Sequence, residues 1–276
     1  MILALIDNGS LEPAATRNLR AVAAALSTEV DAPVHPVSWK HSDRISPALL
    51  NRDKPGTTLA PFVRAQLDSG ERHFIFVPFF ISAQGAIGSA LRSDLDKLQR
   101  EHAATPFEFT FTAGLADAGV IPGIVADRVR ETIAASVLPR PPVIVVDHGG
   151  PSPTSAALRN TLAAEIRSLL GNEIASLAAA SMEGEAHAHN HPLLSQQLQA
   201  SGFDTGNVVV APLFLSPGRH AGAEGDIAQI CRQAEAANLS GRCHLTGLVG
   251  THPLAITSLA AALRATLSHL HAPLSA

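Results

Sequence analysis

The sequence is poor in the features that mark several large classes of protein. Cys231 and Cys243 are the only two cysteines among 276 residues. They form no C-x-x-C pair, so they predict neither a disulfide framework nor a thiolate zinc site. No apolar run approaches the roughly 18 residues that a membrane span requires. The net charge of −4 argues against a nucleic-acid surface or a polybasic membrane patch. We therefore expect small partners, with no nucleic acid and no membrane.

Several enzyme motifs are missing as well. Glycines 218, 222 and 225 precede a predicted helix, but they form neither G-x-x-x-x-G-K-[ST] nor G-x-G-x-x-G, which argues against a phosphate cradle. There is no G-x-S-x-G elbow, which argues against a serine hydrolase. Met1 leads into an apolar strand without a basic region or a small-residue cleavage site, so we expect no signal peptide and a cytoplasmic protein.

Buried strands and amphipathic helices alternate along the chain, and the order repeats after a proline-rich stretch at 138–142. Residues 78–82 align with residues 212–216 at an offset of 134 (212 − 78). The pattern predicts an α/β protein: a tandem duplication of a four-stranded parallel sheet flanked by helices, with two halves facing across a cleft. We place the halves at 1–138 and 142–276.

Three strands of the second half end in residues that can bind metal. His148 follows the strand at 143–147, Glu183 follows the strand at 174–181, and His220 follows the strand at 207–215. Ligands of α/β sheets bind at the carboxyl ends of strands, so these side chains are expected to meet. Two imidazoles and a carboxylate suit cobalt, iron, nickel or zinc better than magnesium or calcium. Three protein ligands would leave open positions on the metal, unlike a structural zinc site.

The first half carries different residues at the same three points. Asn8 corresponds to His148, Lys40 to Glu183, and Ala86 to His220. Loss of all three ligand types together predicts that the first half is degenerate and non-catalytic, and that the second half carries the site.

Three motifs of the second half resemble those of class II tetrapyrrole chelatases, the two-domain form of the sirohydrochlorin cobaltochelatases and ferrochelatases. They are residues 146–150, residues 181–184, and residues 211–215 through His220 to Asp226-Ile227; residues 251–254 add a C-terminal feature of the family. The resemblance covers nearly the whole chain. It departs from the family at Gly150-Pro151, where a serine and a charged residue are usual, and in placing the catalytic copy second.

The resemblance implies a chelatase-like fold and a lyase-type metal chelatase. The reaction would insert a divalent metal, cobalt or iron, into sirohydrochlorin during cobalamin or siroheme biosynthesis. The metal (Co²⁺, Fe²⁺ or Ni²⁺) would be a substrate, with no permanently bound cofactor. His148 and His220 would bind the metal and accept protons, and Glu183 would complete the ligand set or lead protons away.

Two further features have open interpretations. Arg219, beside His220, would bind a substrate carboxylate or lie as an ordinary loop arginine. His187, His189 and His191 form either an accessory metal-collecting tract or a polar loop.

The rival to the enzyme is a non-catalytic metal-binding or delivery protein with a chelatase fold, and a third alternative is a structural or regulatory protein. The internal duplication is compatible with a monomer.

Overall fold

The computed structural model describes residues 1–50, 54–82, 86–237 and 241–271. Within these ranges the strands are Ile2–Asp7 (β1), Val34–Ser38 (β2), His73–Pro78 (β3), Glu108–Phe111 (β4), Val143–Asp147 (β5), Leu177–Ser181 (β6), Asn207–Pro212 (β7) and Arg242–Leu245 (β8). The α-helices are Pro13–Val30 (α1), Leu59–Asp68 (α2), Ala86–Glu101 (α3), Ile121–Ser136 (α4), Pro153–Leu170 (α5), Leu194–Gln197 (α6), Asp226–Ala236 (α7) and Pro253–His271 (α8). Among the helices of the described part, none combines the length and apolarity of a membrane span.

The strands form two parallel four-stranded sheets, ordered β2-β1-β3-β4 and β6-β5-β7-β8. Each sheet is built around a strand whose residues are almost all apolar and buried. In β5, for example, residues 143–146 are fully buried, as expected for a central parallel strand covered by helices on both faces. The predicted α/β architecture of two parallel sheets flanked by helices is therefore confirmed.

The compact units differ from the predicted halves by one helix each. One unit comprises Met1–Val120 and Pro253–Ala276, and the other comprises Ile121–His252. Helix α4 precedes the proline-rich stretch, yet it packs on α5 and β7 of the second sheet. Helix α8 packs on α1 of the first unit. The prolines thus mark the end of a sequence repeat, whereas tertiary packing decides which unit each of these helices joins.

The two cysteines lie close together on neighbouring elements. Cys231 is buried on α7, and Cys243 is half-buried in β8; both are free thiols. A hydrogen bond between the two thiols, together with burial, raises the pKa of Cys231. Because the thiolate is the reactive form, the raised pKa makes Cys231 a poor nucleophile.

Asp7, at the end of β1, is a buried carboxyl that destabilises the fold when it ionises. Burial raises its pKa from 3.8 to about 6, although hydrogen bonds from Ser38 and from the Gly9 N–H partly oppose the change. The folded chain therefore holds this proton more tightly than the unfolded chain does. The resulting stabilisation is fully present below about pH 4 and is lost as the pH rises through about 6.

We expect Asp7→Asn to flatten this pH dependence, because asparagine keeps a hydrogen-bonding oxygen but cannot ionise. A pKa difference of this size corresponds to about 3 kcal/mol in the free energy of unfolding between pH 4 and pH 8. Urea unfolding of both proteins at pH 4, 6 and 8 measures the effect. Parallel pH profiles for the two proteins would contradict it.

Candidate metal centre

The three predicted ligands meet at one edge of the second sheet. Strand β5 lies between β6 and β7, so the residue after β5 emerges between those that follow its neighbours. His148 Nε2 lies 3.5 Å from Glu183 Oε1. The rings of His148 and His220 have centroids 4.7 Å apart and are perpendicular. His148 is thus the central member of a trio.

A close backbone contact sets the positions of His148 and Glu183. The Glu183 N–H donates to the His148 carbonyl at 3.1 Å, and the Met182 N–H donates to the Asp147 carbonyl at 2.8 Å. Gly149 has a φ of +82°, and a Cβ at this position would lie 2.0 Å from the Glu183 carbonyl oxygen. Only glycine permits both this conformation and this approach.

Hydrogen bonds orient both imidazoles in the same way. His148 Nδ1 lies 2.7 Å from the Gly149 carbonyl oxygen, and His220 Nδ1 lies 2.6 Å from Asp226 Oδ2. A carbonyl and a carboxylate can only accept, so these partners assign the proton of each neutral ring to Nδ1. The Nε2 atoms then carry the lone pairs that a metal requires.

Asp226 orients the ring of His220, a role that the sequence alone did not predict. It is the first residue of α7, and its N–H donates to the Arg219 carbonyl, while the Ile227 N–H donates to the His220 carbonyl. The start of α7 therefore fixes both the backbone and the ring of His220. The available signal was a carboxylate six residues after His220, at the start of a predicted helix.

We expect Asp226→Asn to lower the affinity for Co²⁺ by about 10- to 100-fold, the usual effect of removing a carboxylate that orients a metal-binding histidine. Calorimetric titration with Co²⁺ measures it. Glu224→Gln is the matched control, because Glu224 lies in the same loop but its side chain is 88% exposed and pairs with Arg232. Equal Co²⁺ affinities for Asp226→Asn and the wild type would contradict the assignment.

Arg219 lies at the rim of this site. Its side chain is 79% exposed, and Nε lies 3.7 Å from Asp226 Oδ2. Most of the guanidinium therefore faces solvent beside His220, which leaves binding of a substrate carboxylate as a proposal.

Hydrogen bonds already engage two of the three histidines of the loop after β6, His189 and His191. His189 Nε2 lies 2.9 Å from the Gly150 carbonyl oxygen, and the His187 and His189 rings stack with centroids 5.4 Å apart. In His191, Nδ1 lies 3.0 Å from Gln196 Oε1, and Nε2 lies 3.0 Å from the Glu185 carbonyl oxygen. These acceptors raise the pKa of His191, the Glu185 carbonyl most of all. A ring that donates from both nitrogens has no lone pair for a metal, so an accessory metal role must compete with these contacts.

Among the described residues, no group of three or more His, Cys, Asp or Glu side chains is already arranged to hold a metal ion. Both short contacts of the trio involve His148. The side chains of Glu183 and His220 are 56% and 27% exposed, so both are partly open to solvent. In the first unit, Asn8 and Lys40 occupy the positions of His148 and Glu183; the side chain of Ala86, the counterpart of His220, lies outside the described part.

Two imidazoles and a carboxylate at the carboxyl edge of a parallel sheet define a candidate site for a borderline divalent metal in a duplicated α/β protein. Residues 142–266 match the model of the CbiX family. The second half of the chain is therefore similar to this family, in agreement with the motifs of that half.

Two solved structures share the fold over almost the whole chain. One is SirB from Bacillus subtilis with Fe³⁺, at 14% identity and a TM-score of 0.66, covering 98% of this chain and 97% of that one. The other is the sirohydrochlorin chelatase SirB from Bacillus subtilis subspecies spizizenii in complex with cobalt, at 14% identity and a TM-score of 0.67 with the same coverage. A search among curated proteins finds no match to the sequence.

Proposed function

We propose that the protein inserts a divalent metal, cobalt or iron, into sirohydrochlorin, in cobalamin or siroheme biosynthesis. The observation that carries the proposal is the pair of imidazoles, His148 and His220, each oriented by an acceptor on Nδ1 so that Nε2 is available to a metal. The family match of this half and the metal-bearing SirB structures of the same fold support it.

The reaction requires a group that releases a metal and accepts protons. Insertion of a divalent metal into the macrocycle displaces two pyrrole N–H protons, so charge is conserved when two bases take them up. His148 and His220 would bind the metal through Nε2 and, once the metal has left, would accept protons at the same atoms. Each resulting imidazolium lies beside a carboxylate: Glu183 next to His148, and Asp226 next to His220.

Exchange of the metal needs an open site. The His148 side chain is 46% exposed and that of Glu183 is 56% exposed, so both side chains are open to an incoming ligand. Arg219 would pair with one of the carboxylates of the macrocycle at the rim, with two parallel hydrogen bonds from its planar guanidinium. The ligand set itself accepts cobalt, iron and nickel, so the physiological metal depends on supply.

The direct test is anaerobic incubation of the protein with sirohydrochlorin and Co²⁺, and then with Fe²⁺ and Ni²⁺, while the absorption spectrum of the macrocycle is followed. We expect insertion faster than in a protein-free control, at rates that rank the metals. A spectrum that changes no faster than the control, with Co²⁺ still bound in calorimetry, would instead support the metal-delivery protein. Binding of neither metal nor pigment would support a structural or regulatory role.

A further inference from the structure

A buried cation lies beneath the loops that carry His148 and Glu183. Arg159, on α5, is 2% exposed. Its Nη1 donates to the Ser181 hydroxyl and lies 3.5 Å from Asp147 Oδ1. The same guanidinium donates to the carbonyls of Asn190 at 3.4 Å and of His189 at 3.2 Å. A buried guanidinium is costly unless its donors are satisfied, so this set of acceptors holds it in one place.

One of its contacts, Asn190, joins the two ligand-bearing loops. Asn190 is 1% exposed, and its Nδ2 donates to the Gly150 carbonyl at 3.0 Å and to the Gly184 carbonyl at 2.9 Å. The Gly150 N–H donates back to Asn190 Oδ1 at 3.3 Å. Gly150 follows His148 by two residues, and Gly184 follows Glu183 by one. A single amide therefore spans the gap between the two loops.

The loop of Glu183 packs closely against the side chain of Asn190. Gly184 has a φ of +93°, and a Cβ at this position would lie 2.2 Å from Asn190 Nδ2. On the other side of Arg159, the Ser181 hydroxyl donates to Asp147 Oδ1 at 2.7 Å, which ties the ends of β5 and β6 together. Arg159 thus contacts Asp147 and Ser181, at the ends of β5 and β6, and also Asn190, whose side chain joins the two loops.

The first unit is a natural comparison, because it has the strand ends without the cation. Asp7 and Ser38 pair in the strand register as Asp147 and Ser181 do. At the offset of this region (147 − 7 = 140), Arg159 corresponds to Leu19, which is buried in α1. That unit also has Asn8 and Lys40 at the positions that correspond to His148 and Glu183. Asp7 is buried in that unit, and its burial raises its pKa.

We propose that Arg159 and Asn190 form a positioning clamp that fixes the separation of His148 and Glu183, and through it the affinity of the site for a divalent metal. The clamp residues do not touch the metal or the macrocycle; they act through the loop backbones. The inference rests on the proposed function, since it assumes that the two side chains bind the same ion.

A double-mutant cycle on Co²⁺ affinity tests the clamp. Asn190→Ala and Glu183→Ala are made singly and together, and calorimetry gives the affinity of each. We expect Asn190→Ala to lower the affinity about 10- to 100-fold in the wild-type background. In the Glu183→Ala background it should change the affinity by less than about 3-fold, because the ligand that it positions is gone. Independent losses that multiply in the double variant would overturn the clamp.

Further variants separate positioning from stability. Arg159→Lys keeps the charge but not the planar fork, so we expect a Co²⁺ affinity between those of the wild type and Asn190→Ala. Ser38 is the residue of the first unit that corresponds to Ser181. We expect Ser38→Ala to lower the melting temperature without changing the Co²⁺ affinity. An Asn190→Ala protein that melts lower but binds Co²⁺ as the wild type does would overturn the clamp and leave the proposed function standing. A wild-type protein that binds no Co²⁺ would overturn both.

Discussion

Replacement of His148 by alanine is expected to lower the affinity for Co²⁺ by more than about 100-fold and to abolish metal insertion. His148 is the member of the trio that lies against both of the others, at 3.5 Å from Glu183 and with its ring 4.7 Å from that of His220. Its loss removes a ligand and also the link between the other two. Loss of a ligand should exceed the about 10- to 100-fold effect of losing a residue that merely orients one.

The counterpart residue in the other unit supplies the control. Asn8→Ala changes the corresponding position of the first sheet, and we expect it to leave Co²⁺ affinity and insertion at their wild-type values. Calorimetry and the sirohydrochlorin absorption assay are run on both variants and on His220→Ala, which should also lose turnover. Near-normal insertion by His148→Ala would remove this histidine from the mechanism and with it the assignment of the site.

Gly149→Ala is expected to lower the free energy of unfolding by about 3 kcal/mol and the affinity for Co²⁺ by more than about 10-fold. The new methyl group would meet the Glu183 carbonyl oxygen at 2.0 Å, in a backbone conformation with φ of +82° that alanine rarely adopts. Relief of the overlap must push the loop of His148 away from the loop of Glu183. The stability loss and the binding loss therefore share one cause.

Gly9 provides an equally strained position without a metal ligand beside it. Its φ is +80°, and a Cβ there would lie 1.7 Å from the Lys40 carbonyl oxygen. We expect Gly9→Ala to destabilise the protein as much as Gly149→Ala does, while its Co²⁺ affinity stays at the wild-type value. Urea unfolding and calorimetry of the pair measure both effects. If the two variants bind Co²⁺ equally, the backbone contact at Gly149 does not set the ligand geometry.

The fold and the meeting of the trio follow from patterns that are local in the sequence. Apolar runs such as 143–146 identify central strands, and the repeat of strand and helix identifies two sheets. The edge at which His148, Glu183 and His220 meet follows because parallel strands present their carboxyl ends together. These features depend on periodicity and order, which a single sequence displays.

The sequence does not predict that α4 packs in the second unit and α8 in the first. An amphipathic helix has the same pattern whether it covers the sheet of its own repeat or another one. The proline-rich stretch at 138–142 indicated a boundary between repeats, and nothing in it indicates which sheet α4 will cover. That choice depends on tertiary packing alone.

The sequence does not predict the buried position of Arg159, for a related reason. A charged residue within an amphipathic helix, such as Arg159, is ordinarily expected at the surface. Its burial depends on acceptors from β5, β6 and the loop near residue 190, which are remote from it in sequence. The histidine tract at 187–191 shows the converse: its composition suggests metal binding, but carbonyl partners for His189 and His191 emerge only in the folded chain.

Helix α4 belongs to the second unit and α8 to the first. This arrangement affects the order in which the units can fold during synthesis, because a ribosome delivers the chain from its N-terminus. All segments of the unit that carries the trio are present once His252 has been added, whereas the unit that begins at Met1 still lacks α8. The unit that carries the trio is therefore able to complete its core first, against the usual N-to-C order of domain folding. Until α8 arrives, the surface of α1 that it covers stays open to chaperones. A stop codon shortly before Pro253 would then remove α8 from the unit that begins at Met1, while every segment of the unit that carries the trio stays in place.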